Sequence, residues 1–316
     1  MNTFIKKYSS LLKVAFEEFS NDNALKLSAS LSYYTLFSLA PMLLVFMSVL
    51  GLFYGREAVE GQLYGQLDWL IGAEAAKEVQ ELIRNAELSG KSGIAAVIGV
   101  VTLLLGATGV FAEIQDSINQ IWGIKPKPKS GILKYLMNRL ISFSLIISLG
   151  FLFIVSLLLN TLVTVFSNPF KSLFSEATVY IFWALNAAVI WIVMTILFAV
   201  IFSVLPDGKV KAKDTFIGAG VTAVLFMIGK YFIGLYLGQS DVGGAYGAAG
   251  SVVIILLWVY YSSVILYFGA EFTKVYALTL GGGIKPGSYA VRFQKKEVVV
   301  TGSGALGHST KDASKI

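Results

Sequence analysis

The sequence predicts an all-α, polytopic membrane protein of six transmembrane helices, with both termini in the cytoplasm. Two observations lead there. Apolar stretches run from about Leu31 to Phe53, Gly93 to Phe111, Leu140 to Phe166, Val179 to Leu205, Thr215 to Leu237 and Tyr246 to Phe268. Each is near the roughly 20 residues that a helix rising about 1.5 Å per residue needs to cross the hydrocarbon. The lysines and arginines, in turn, fall on every second connection. Mean hydropathy of +0.72 with only 14% charged residues agrees with this class.

Orientation follows from the basic residues. The N-terminal segment carries Lys6, Lys7, Lys13 and Lys26, and the second connection Lys125, Lys127, Lys129, Lys134 and Arg139. The fourth connection has Lys209, Lys211 and Lys213, and the C-terminal segment Lys274, Lys285, Arg292, Lys295, Lys296, Lys311 and Lys315. The alternate set holds only Arg56, Lys77, Arg84, Lys91 and Lys171. Basic residues are retained on the cytoplasmic side during insertion, so the richer set is expected inside. The net charge of +6 then reflects topology and attraction to anionic inner-leaflet headgroups, with membrane lipids as the expected partners. No nucleic-acid-binding module is visible, and no nucleic acid is expected as partner.

Three regions are expected: residues 1–22, 23–280 and 281–316. In the first, Phe4, Ile5, Tyr8, Leu11, Leu12, Ala15, Phe16 and Phe19 recur at helical spacing opposite Lys6, Lys7 and Lys13. That is an amphipathic N-terminal helix suited to the inner headgroup layer, or alternatively a gate or docking helix. Asn21 and Asp22 offer a cap for the helix that follows. The first 30 residues lack an apolar core of about 7–15 residues, so the first span is expected to act as targeting signal. Residues 23–280 hold the six spans. Within them Tyr54–Ser92 reads as a helical outer cap, with seven acidic residues against four basic. Lys125–Lys129, KPKPK, reads as a stiff extended spacer. Residues 281–316 read as a disordered cytoplasmic tail containing His308.

Composition removes most chemistry. With no cysteine, disulfides, thiolate metal sites and cysteine nucleophiles are excluded, and lipidation at cysteine with them. A single histidine, in the tail, leaves no ordinary base or zinc ligand set. No catalytic residue, metal or cofactor is expected, and the chain is not expected to be an enzyme. The acidic residues near span ends are Glu113, Asp116 and Glu271. Glu113 and Asp116 stand three apart on one helix face, able to bind a cation or to pair with neighbouring lysines.

Lys230 is the one basic residue within a span. It lies 15 positions past Thr215, roughly 22 Å along the helix. An ammonium near mid-membrane costs about 2.5 kcal/mol or more, so it must line a polar cavity or snorkel outward. A glycine- and tyrosine-rich turn follows, with Tyr236, Asp241 and Tyr246; Asp241 is a candidate partner for Lys230. The first span adds Tyr33 and Tyr34 among small hydroxyl residues before Pro41. The expected substrate-binding set is Lys230, Asp241, Tyr33, Tyr34, Tyr236, Tyr246, Trp258 and Tyr260, in a cavity walled by the first, fifth and sixth spans.

Four stretches carry a family resemblance: LSASLSYYTLFSLAPMLL at Leu27–Leu44, IQDSINQIWGI at Ile114–Ile124, NRLISFSLIISLGFLF at Asn138–Phe153, and YGAAGSVVIILLWVYYSSVILYFGAEFTKVYA at Tyr246–Ala277. In these the chain resembles the YihY/BrkB-like bacterial inner-membrane proteins. The resemblance implies six spans and an inner-membrane location, and no agreed catalytic residues. It implies transport of a lipid or other anionic amphiphile, and the expected function is a transporter or lipid-translocating protein for an anionic amphiphile or small solute. A scaffold for envelope proteins is the rival reading, and the ribonuclease label the family has carried is the least favoured. Substrate, energy coupling and oligomeric state stay open.

Overall fold

The computed structural model describes residues 2–38, 76, 77, 80, 109–127, 177–239, 246 and 249–293. Helix α1 spans Asn2–Asn21, α2 covers residues 24–38 and α3 residues 109–121. Strand β1 is Ile124–Pro126, α4 Ala177–Val204, β2 Gly208–Lys209 and α5 Ala212–Gln239. The long α6, Gly250–Thr279, is followed by β3, Lys285–Pro286, and β4, Ala290–Arg292.

Helices α4, α5 and α6 are long and apolar enough to cross a membrane. Two of them match the expected spans to within about three residues at each end. The sixth runs past its expected end at Phe268 to Thr279. The second continues past Phe111 to residue 121. Of the first expected span only residues 31–38 are described. The third, Leu140–Phe166, lies outside the described residues. Within Tyr54–Ser92, residues 76, 77 and 80 are helical, with Ala76 buried.

α4 packs on α5 and α5 on α6. Without water to drive helices together in lipid, close contact rests on small residues and dispersion. The α5–α6 seam shows this directly. Gly218 faces Thr273, and Gly269 faces Thr222, a reciprocal pair running along two antiparallel helices. Each threonine hydroxyl donates to the carbonyl of the glycine four residues earlier on its own helix, both at 2.7 Å. The hydroxyls are thus satisfied while their side chains fill the glycine grooves. Further along, Gly229 sits under Tyr261 and Ile265. On the α4 side, the Trp191 indole donates to the Gly220 carbonyl at 3.1 Å. Phe198, Phe226 and Trp258 form an edge-to-face aromatic row, with centroids 5.9 and 6.2 Å apart.

The N-terminal helix packs one face on α6. Leu11, Ala15 and Phe19 are buried, the first two against Phe272, Val275 and Tyr276 of α6. A second face, with Leu12 and Phe16, remains exposed. Asn23 separates α1 from α2 in the left-handed region, φ 56°, a conformation asparagine tolerates better than most residues.

The segment after α6 differs from the disordered tail expected from residue 281. Leu280 and Gly281 donate backbone N–H groups to the Tyr276 carbonyl, and Gly283, at φ 75°, closes onto Ala277. This is a glycine-terminated helix end. β3 then pairs antiparallel with β2, and β4 with β1. The Gly287 N–H donates to Asp207 O at 2.8 Å, Lys127 N–H to Tyr289 O, and Phe293 N–H to Gly123 O. Residues 281–293 are therefore a strap across two connections, that after α3 and that between α4 and α5. KPKPK is accordingly more than a spacer: its first two residues belong to β1, with Pro126 at a strand edge where its missing N–H is tolerated.

Candidate functional site

Two sites with different chemistry lie along the bundle. The first is an apolar cavity of about 310 Å³ among α2, α4, α5 and α6. Leu31, Phe198, Phe226, Trp258 and Leu266 line it, with Ser262 and Ser263 as its hydroxyl residues. Its size is at the low end of the range of about 300–1,000 Å³ for small-molecule sites. Ser263 donates to the Val259 carbonyl at 2.7 Å, so its hydroxyl is committed. The Trp258 indole nitrogen is buried and has no acceptor among the described residues.

The second site lies where the last turns of α6 meet α1. Lys274 is nearly buried, and its Nζ stands 2.8 Å from Glu18 Oε2, 2.9 Å from Asp22 Oδ2 and 3.1 Å from Glu271 Oε2. Glu271 is wholly buried. Glu271 and Lys274 share one face of α6 through their three-residue spacing. The break at Asn23 ends α1 just where Glu18 and Asp22 reach the same ammonium. A cavity of about 200 Å³ adjoins the cluster, bordered by Gln120, Trp122, Arg292 and Phe293. The Trp122 indole donates to Ala270 O at 3.1 Å, and Gln120 reaches Asp22 O at 3.3 Å, tying α3 to both partners.

Next to it, Asp207 is held by α3. Asn119 Nδ2 donates to Asp207 Oδ2 at 3.0 Å, and Gln115 Nε2 to Oδ1 at 3.3 Å. The Asp207 N–H returns a 2.8 Å bond to Asn119 Oδ1. Asp214, buried in the first turn of α5, accepts from Gly282 N–H at 2.8 Å. Two aspartates thus anchor the strap to the membrane helices.

The residues singled out in the sequence are distributed unevenly over this architecture. Trp258 lines the apolar cavity with Leu31 of α2, Phe226 of α5 and residues of α4. Lys230 is half-buried on α5 and is not among the residues lining that cavity. Tyr33 and Tyr34 stand edge to face, ring centroids 6.0 Å apart, with Tyr34 against Gly109 of α3. Tyr236 and Tyr246 are exposed, and Tyr260 is half-buried. Asp241 lies outside the described residues. Glu113 is half-buried and Asp116 exposed on α3, and neither belongs to the Lys274 cluster. Glu271 does. Glu18, Asp22, Lys274, Asn119 and Asp207 were not anticipated as a site; the Glu271–Lys274 spacing was the one local signal for them.

The family model described as virulence factor BrkB matches residues 15–290. A UPF0761 membrane protein of Saccharophagus degradans is 26% identical over 262 residues, covering 83% of this chain and 58% of that protein. One from Alkalilimnicola ehrlichii is 28% identical over 270 residues, covering 83% and 57%. One from Alteromonas mediterranea is 24% identical over 275 residues, covering 86% and 89%. The chain thus spans under three-fifths of the length of the first two relatives. No solved structure matches it. The match runs from the last turns of α1 through β3 to the first residue of β4, and the chain belongs to the BrkB family of bacterial membrane proteins.

Proposed function

We propose that this chain is a multi-pass protein of the bacterial inner membrane that translocates a lipid or similar amphiphile, with both termini in the cytoplasm. The observation that carries the reading is the apolar cavity among the membrane helices with the Trp258 indole, which has no acceptor among the described residues, at its wall. A buried donor without an acceptor costs about 1–3 kcal/mol. An apolar guest carrying one acceptor oxygen, such as an acyl chain at its ester or phosphate end, relieves that cost while filling the cavity. A solute without apolar surface gains nothing from such walls. Lys230, Tyr236 and Tyr246 stay in this reading as an outer basic and aromatic approach for an anionic headgroup.

The test is translocation in proteoliposomes of purified protein, with headgroup-labelled anionic and zwitterionic lipids. Protein-dependent loss of the inner-leaflet label, slowed by Trp258→Ala, is the expected result. No movement of either lipid overturns it. That outcome favours a non-transporting scaffold for envelope proteins, a reading supported by the exposed Leu12 and Phe16 face of α1.

A further inference from the structure

Three carboxylates crowd around Lys274. The oxygens of Glu18, Asp22 and Glu271 lie within 4.8 Å of one another, and the Lys274 ammonium reaches all three. From the other elements packed here, α3 contributes the neutral Gln120 amide, and β4 contributes Arg292, which is exposed at the cavity edge. Glu271 is the decisive residue. It has no exposed surface, and its Oε2 accepts from Lys274 while its Oε1 has no donor among the described residues. The Asp22 carboxyl, itself largely buried, has an oxygen within 4.8 Å of this group.

Two ionised carboxylates offer only acceptors and repel, so they form no hydrogen bond with one another. One proton resolves the arrangement. It supplies the missing donor, removes one buried charge, and leaves the remaining pair answered largely by Lys274. A metal ion fits less well, because the lysine ammonium already occupies the point where the carboxylates converge.

We infer that Glu271 and Asp22 share one exchangeable proton, which makes this cluster a proton-binding site fastening α1 to α6. Loss of the proton sets the Glu271 and Asp22 carboxylates against one another between the helices. The contacts of Leu11 and Ala15 with Phe272, Val275 and Tyr276 then loosen. Use of the proton as a carrier's driving ion rests on the reading above; its binding does not.

Infrared difference spectra of the full chain in liposomes, between neutral and alkaline buffer, test the site. The expected result is a protonated-carboxyl stretch that vanishes on alkalinisation. It shifts on incorporation of isotope-labelled glutamate or aspartate and is lost in Glu271→Gln. Absence of the stretch from the wild-type protein at neutral pH overturns the inference, whatever the variants do. So does a stretch that survives in folded Glu271→Gln, or in Asp22→Asn should the first variant fail to fold. Lipid movement in the same vesicles is a separate readout: movement without the stretch overturns the proton site alone, and the stretch without movement supports it while overturning the carrier.

Discussion

Lys274 holds three carboxylates from two helices on one ammonium, and its removal is the sharpest test of that cluster. Lys274→Met keeps the aliphatic stem and leaves the carboxylates facing each other. Breaking a buried ion pair by removing one partner costs about 3–5 kcal/mol, so a matching loss of stability to denaturant in detergent is expected. Adding Glu271→Gln should restore part of it, because one of the carboxyls left facing each other goes with the lysine. Trp258 gives a complementary case. Trp258→Phe keeps a ring on the cavity wall and deletes the indole donor, so stability should hold within about 0.5 kcal/mol. Translocation should slow about fivefold if the indole binds an acceptor on the lipid, the equivalent of one ordinary hydrogen bond. An unchanged rate would remove the donor from the mechanism. Glu271 stood out in the sequence as an acid at a span end. Its partners Glu18 and Asp22 did not, since Lys274 and Asp22 are separated by 252 residues and only the fold brings them together.

The α5–α6 seam depends on glycines at set positions. A Cβ at Gly218 would lie 2.8 Å from the Thr273 Cβ and closer still to its hydroxyl. Gly218→Ala should therefore cost about 1–3 kcal/mol of overpacking. The same substitution in a Thr273→Ala background should cost measurably less, by at least about 0.5 kcal/mol in a double-mutant cycle. Equal costs in both backgrounds would show that the helices simply move apart. At the strap, a side chain at Gly287 meets the Asp207 carbonyl at 2.7 Å, so Gly287→Val should detach β3 from β2. Faster limited proteolysis between residues 281 and 293, with the bundle intact, is the expected readout. Helices α4 and α5 were legible because long apolar runs declare themselves by length and composition. The end of α6 was not, because Glu271 and Lys274 interrupt the hydropathy although the fold buries both. Strands of two or three residues, such as β2 and β3, are too short to show any alternation.

Sidedness belongs to the whole molecule, and the chain is well suited to measuring it because it has no cysteine. Single cysteines at Lys209 and Lys285, which are paired across β2 and β3, must react with an impermeant thiol reagent from the same side. The basic-residue pattern predicts that side to be the cytoplasm, with a cysteine at Lys77 reacting from the other. Labelling of Lys209→Cys and Lys77→Cys from one side would refute the proposed topology. The strap bears on biogenesis as well. Lys127 and its partner Ser288 are 161 residues apart, so at about 5–20 residues per second roughly 8–32 s separate their synthesis. Throughout that interval the connection after α3 waits with its backbone donors and acceptors unpaired. A nascent chain can thus have inserted its early helices while this end is still open to chaperones, proteases or partner subunits.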